Sequence, residues 1–205
     1  MNYFTADTHF FHKQLLGNND FAPRPFANVN IMNQTIIDNW NKRVSNTDTV
    51  YHLGDIAMCP GDYPSPQEVL EILNQLNGQL ELIKGNHDHH DLFKYLDKHN
   101  YEVESGKPKF IFHDVGAIIK FDHHQFIMTH YPLMMGIVKN QINLHGHIHN
   151  NSVPIAEDIN VGVDAPELRY LDCKLPFGTP LRSEEIIEIY NRKKSLLAKM
   201  QNNKG

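Results

Sequence analysis

Residues Leu80-Glu81-Leu82-Ile83-Lys84-Gly85-Asn86-His87-Asp88 pass from an apolar stretch into a polar tetrad led by glycine. A short apolar run cut off by a turn residue predicts a buried strand that delivers polar side chains from its carboxyl end. Similar stretches occur at 2–6, 49–54, 110–112, 116–121, 125–129, 142–145 and 159–163. Helical patterns separate several of them. Ser65-Pro66-Gln67-Glu68 combines a capping serine, a first-turn proline and a capping-box glutamate, and predicts a helix to about Leu76. Between Val29 and Val44 the residues Val29, Met32, Ile36, Ile37 and Trp40 recur at helical spacing. A third helix starts after Ser183 and carries Ile186, Ile187, Ile189 and Tyr190. Strands alternating with helices predict an α/β or mixed-sheet layered fold.

Residues 17–27, 59–65 and 152–158 read as surface loops, and 201–205 as a frayed tail. No repeat or long linker divides the 205 residues, so residues 1–205 are expected to form one domain. With 40% hydrophobic and 21% charged residues, the chain has the composition of a globular protein and not of a disordered one. Its apolar runs are far shorter than the roughly 20 residues that a membrane span needs. The start, Met1 to Asp7, lacks the basic and apolar regions of a secretory signal, which predicts a cytoplasmic protein. Cys59 and Cys173 are too few for a disulfide framework and read as bystanders. A net charge of -5 argues against a long nucleic acid as partner, since phosphate backbones are gripped by basic faces.

The chemistry concentrates where apolar stretches end. Asp7-Thr8-His9 follows the first, Gly54-Asp55 the next, then Gly85-Asn86-His87-Asp88, Thr129-His130 and His145-Gly146-His147-Ile148-His149. In layered α/β folds the carboxyl ends of strands converge on one edge, where ligands bind. Asp7 and His9 are two apart, as are His147 and His149, a spacing that points both members to one side if the backbone is extended. Imidazole and oxygen donors without thiolate suit Mn, Fe, Zn, Co or Ni. Seven candidate ligands, Asp7, His9, Asp55, Asn86, His130, His147 and His149, are too many for one tetrahedral ion, and two ions bridged by Asp55 account for them. Two dications offset by two carboxylates and a hydroxide keep a single positive charge, enough to attract a phosphodiester. The remaining histidines His52, His89, His90, His99, His113, His123 and His124 read as structural or surface residues; His145 is open to either a supporting or a structural role.

These five motifs, in this order, resemble the calcineurin-like metallophosphoesterase superfamily: D-x-H, G-D, G-N-H-D, a lone His and G-H-x-H, over residues 7–149. Small cap-less bacterial and bacteriophage members are the most similar, sharing Asp7 to His12, Arg24-Pro25-Phe26, Val161-Gly162-Val163-Asp164 and Pro180 to Ile186. The resemblance implies a four-layer α/β/β/α sandwich of two mixed sheets flanked by helices. It implies a first metal held by Asp7, His9, Asp55 and His149, and a second held by Asp55, Asn86, His130 and His147. His87 would protonate the leaving group or contact phosphate. Met58 and Cys59 replace the Asp and Arg that the protein-phosphatase branch carries after its G-D motif, which weakens that alternative.

Two ions, with manganese favoured, would acidify a bridging water so that it attacks phosphorus. A small phosphate ester is the expected substrate, and a phosphodiesterase acting on nucleotide-like esters is the first reading. Phosphomonoesterase or pyrophosphatase is the alternative, followed by a non-catalytic scaffold that intact ligands disfavour. His12, and Arg24 if its loop folds over the site, are candidate substrate-binding residues.

Overall fold

A computed structural model describes residues 1–58, 61–104, 106–136 and 138–202. Cys59 and the tail beyond Asn202 lie outside the described residues. The strands are β1 (Asn2–Thr5), β2 (Thr49–His52), β3 (Gln79–Ile83), β4 (Phe110–His113), β5 (Gly116–Phe121), β6 (His124–Thr129), β7 (Gln141–His145), β8 (Asp158–Asn160) and β9 (Leu181–Arg182). The helices are α1 (Val29–Asn41), α2 (Pro66–Leu73), α3 (His90–Lys98) and α4 (Ser183–Asn202).

Two mixed sheets result, one in the order β4-β3-β2-β1-β9 and the other β5-β6-β7-β8. In the first, β1 to β4 are parallel and β9 is antiparallel to β1. In the second, β5 and β6 are antiparallel, while β6, β7 and β8 run parallel. Side chains alternate across a strand, so β1, β2 and β3 each feed two cores. Tyr3, Val50, Leu80 and Leu82 pack with Met32, Ile36 and Trp40 of α1, Val69 and Leu73 of α2, and Leu92 and Leu96 of α3. Phe4, Tyr51 and Ile83 pack instead with Phe126, Met128, Ile142, Leu144 and Ile159 of the second sheet, joined by Ile186 and Ile189 of α4. Each such side chain contributes roughly 1.5–3 kcal/mol by leaving water. The expected two mixed sheets flanked by helices are therefore present, with α4 lying against β9, β1 and β8. Among the described residues no helix is long and apolar enough to cross a membrane.

Register positions the site. Thr5 pairs with His52 and His52 with Leu82, so β1, β2 and β3 end level. Just past β1, Ala6 bridges to Gly162, which stitches the two sheets together. Ser65 and Glu68 form the anticipated capping box of α2, although the helix stops at Leu73. Helix α1 likewise ends at Asn41, short of Val44. Two elements, α3 and β9, were not anticipated from the sequence.

Candidate metal centre

The loops after β1, β2, β3, β6 and β7 meet in one cleft and bring together two groups of potential ligands. Asp7, His9 and His149 form one, and Asp55, His130 and His147 the other; within each, the donor atoms lie within 4.8 Å of one another. Asn86 joins the second group, its Oδ1 lying 2.8 Å from both His130 Nε2 and His147 Nδ1. Between the groups stands Asp55. Its Oδ2 is 3.5 Å from His9 Nε2 and 3.5 Å from His130 Nε2.

Backbone geometry departs from the extended conformation assumed in reading the i and i+2 spacings. Asp7, His9, Asp55, His147 and His149 all adopt positive φ, between 46° and 71°. Non-glycine residues rarely occupy this region, and a cluster of them marks a site where the surroundings hold a costly conformation. Those surroundings can be named. Asp7 N–H donates to Gly54 O and His9 N–H to Asp55 O, both at 3.0 Å. The buried Asp88 carboxylate accepts N–H groups from Asp55, Ile56 and Gly85, each at 2.9 Å. Glycines make room: a Cβ on Gly85 would collide with the Asp55 carboxylate, and one on Gly146 would come within 2.7 Å of Asp7 Oδ2.

Electrostatics follow from burial. His9 is pushed down to about 3 by its burial, which keeps the ring neutral. Asp7 rises to about 6 for the same reason. Burial would also raise Asp55, but the His130 and His9 rings beside its carboxylate outweigh it and hold the carboxyl far below the usual range. A neutral imidazole and an ionised carboxylate are the forms that ligate metal.

Three features fit divalent ions here. His9 Nε2 is buried without a hydrogen-bond partner among the described residues, an arrangement that costs free energy unless something else satisfies it. The donors are all nitrogen and oxygen, as borderline dications prefer. Glycines at 85 and 146 leave the ligand carboxylates the space they need.

His87 belongs to neither group. It stands half-buried at the edge, its N–H donating to Asp55 Oδ1 at 2.9 Å and its carbonyl accepting the Tyr63 hydroxyl at 2.9 Å. Its ring is 5.5 Å from that of His9. His12 is buried with Nδ1 3.2 Å from His9 Nδ1, and burial lowers it to about 4. Two aromatic rings flank the cleft, each about half exposed. Phe21 lies 4.3 Å from the His149 ring, and Tyr131 lies 4.6 Å from that of His147.

Arg24 corrects the sequence reading. It is fully buried instead of reaching over the cleft, and its guanidinium donors are taken within the fold. They go to the Asp164 carboxylate at 2.6 and 3.2 Å, to the carbonyls of Asp7 and Thr8, both at 2.7 Å, and to Met32 Sδ at 3.7 Å. No donor remains for a substrate. His145 also faces away from both groups, with Nδ1 on Gly146 O and Nε2 2.8 Å from Asp158. Of the histidines read as structural, His52 meets Thr8 and His113 meets Glu81. Sequence alone suggests no role for Asp88 or Asp164, which close Gly85-Asn86-His87-Asp88 and Val161-Gly162-Val163-Asp164.

A family model described as the calcineurin-like phosphoesterase superfamily domain matches residues 4–162. An uncharacterized protein of Methanocaldococcus jannaschii is 31% identical over 163 residues, which cover 78% of this chain and 88% of that one. The crystal structure of a protein of unknown function from Aquifex aeolicus covers 92% of this chain and 98% of its own, with a TM-score of 0.59 at 24% identity, a likeness of fold. A structure described as a novel archaeal phosphodiesterase covers 80% and 83%, with a TM-score of 0.44 at 18% identity, too distant to bear on function.

Proposed function

The chain belongs to the calcineurin-like phosphoesterase superfamily, and from its cleft we propose that it is a dinuclear-metal phosphodiesterase acting on small, nucleotide-like esters. The observation that carries this reading is the placement of one Asp55 oxygen 3.5 Å from a histidine of each ligand group. We assign Asp7, His9, Asp55 and His149 to one ion and Asp55, Asn86, His130 and His147 to the other, with manganese favoured. When bound, such ions acidify water and neutralise charge on phosphate oxygens.

The chain's own groups do the rest. Asp55 holds the two halves of the cleft in register, and Asp88 holds Asp55. To His87, fixed through its backbone to Asp55 and Tyr63, we assign the donation of a proton from its ring to a departing alkoxide. Its half-buried position at the edge lets it reach a leaving group that the ligands do not.

Preference for a diester is supported by what Arg24 does. A dianionic monoester calls for guanidinium clamps, and the arginine nearest the ligands is spent on Asp164 and two carbonyls. Phe21 beside His149 and Tyr131 beside His147 offer planar apolar faces suited to nucleobase rings. The test is a substrate panel with manganese-loaded protein. Bis-p-nitrophenyl phosphate and nucleotide diesters should give higher kcat/KM than p-nitrophenyl phosphate and nucleoside monophosphates; the reverse order would reject the diester reading.

A further inference from the structure

Arg24 and Asp164 form a buried ion pair at 2.6 Å that joins segments 140 residues apart in sequence. Neither partner reaches the cleft, yet both touch the first ligand group. Arg24 Nη2 donates to the carbonyl of Asp7, and its Nη1 to that of Thr8. Asp164 Oδ2 lies 3.1 Å from His149 Nδ1. Burying two charges is expensive, and the pair is retained only where geometry and further hydrogen bonds compensate. Here the compensation runs through two residues of one candidate metal site.

Direction of the hydrogen bond decides what the pair does. A carboxylate only accepts, so His149 must donate Nδ1–H to Asp164, and its lone pair then sits on Nε2, the nitrogen left to ligate an ion shared with Asp7 and His9. Carboxylate–histidine–metal arrangements of this kind fix the ring's tautomer and orientation and raise its basicity. Among the described residues no carboxylate supports the second group in this way. His130 Nδ1 meets a neutral carbonyl, Leu53 O, and the Nδ1 of partly exposed His147 meets Asn86.

We propose that Asp164, locked by Arg24, is a positioning residue that prepares the Asp7–His9–His149 site for its ion and leaves the other site untouched. The inference rests on the assignment of His149 as a ligand. Asp164 makes no contact with substrate in this account; it acts through His149.

Calorimetric titration of manganese into chelator-stripped protein tests it, on wild type and Asp164→Asn. Loss of a supporting carboxylate lowers metal affinity on the order of 10- to 100-fold. Asp164→Asn should therefore weaken one of two ions by that factor and leave the other unchanged. Arg24→Lys, which keeps the charge but loses the fork, should do the same to a smaller degree. Nitrogen-15 NMR of the metal-free protein gives a second readout: the His149 ring should be in its Nδ1–H form in wild type and lose that preference in Asp164→Asn. Equal weakening of both ions, or none, with the tautomer unchanged, would overturn the proposal while sparing the dinuclear reading. Wild-type protein that binds fewer than two ions would overturn both.

Discussion

The Asp88 carboxylate accepts the backbone N–H of Asp55 at 2.9 Å, and through this bond the loop after β3 sets the conformation of the residue between the two ligand groups. Asp55 has φ of 57°, a conformation it would not keep unaided. The other oxygen of the pair takes Ile56 N–H, so Asp88 caps the whole turn. Asp88→Asn would set an amide NH2 against backbone N–H donors. An unsatisfied buried group costs about 1–3 kcal/mol. A lower melting temperature and weakened binding of both ions are expected; normal binding of both would show that Asp55 holds its place without Asp88.

Gly85→Ala should be as damaging as loss of a ligand. The added methyl would occupy the space of the Asp55 carboxylate and backbone nitrogen, which cannot move aside without giving up the hydrogen bonds above. Metal analysis should find both sites depleted. Gly17→Ala, a glycine at φ of 71° with open space around it, provides the contrast: mild backbone strain and full metal content.

His87→Asn should keep two ions and the fold while removing proton donation. General acid catalysis typically contributes on the order of 10² to 10⁴ in rate. That loss should appear with a nucleotide diester, whose alkoxide leaves badly, and largely vanish with bis-p-nitrophenyl phosphate, whose leaving group is stable as an anion. Equal losses on both substrates, with both ions still bound, would assign His87 to holding phosphate instead.

Arg24→Met should destabilise the protein without raising KM. Removing the guanidinium strands a buried Asp164 carboxylate, a change that costs about 3–5 kcal/mol. Urea unfolding should show the loss. A raised KM at unchanged stability would restore Arg24 to the substrate.

Most of the centre was legible in the sequence because its members carry their chemistry in their residue type and stand where apolar stretches end. Asp7, Asp55, Asn86, His130 and His149 needed no tertiary information to be noticed. The support around them did. Arg24 looked like a loop residue free to reach a substrate, since nothing local reveals a partner 140 positions away. Asp88 and Asp164 read as motif members with no task, because the backbone N–H partners of Asp88 leave no trace in sequence and Asp164 meets Arg24 and His149 only in the folded chain. The positive φ of the ligands was hidden behind a spacing that an extended chain would also satisfy. Within the fold, α3 carries Leu92, Phe93 and Leu96 on one face but is only nine residues long and starts after His89 without a capping side chain, so no start signal marks it, and β9 is two residues long. Early ends of α1 and α2 reflect apolar residues, Val44 and Leu76, that join the same core from outside the helices.

The shared carboxylate is the centre of this account, and counting ions tests it most directly. Wild-type and Asp55→Asn proteins, stripped with chelator and returned to saturating manganese, are analysed for bound metal per chain. Because Asp55 Oδ2 stands equally near a histidine of each group, wild type should hold two ions and Asp55→Asn should lose occupancy at both sites, whereas Asp7→Asn should mainly weaken one. One ion or fewer in wild type, or equal and small losses in Asp55→Asn and Asp7→Asn, would contradict it.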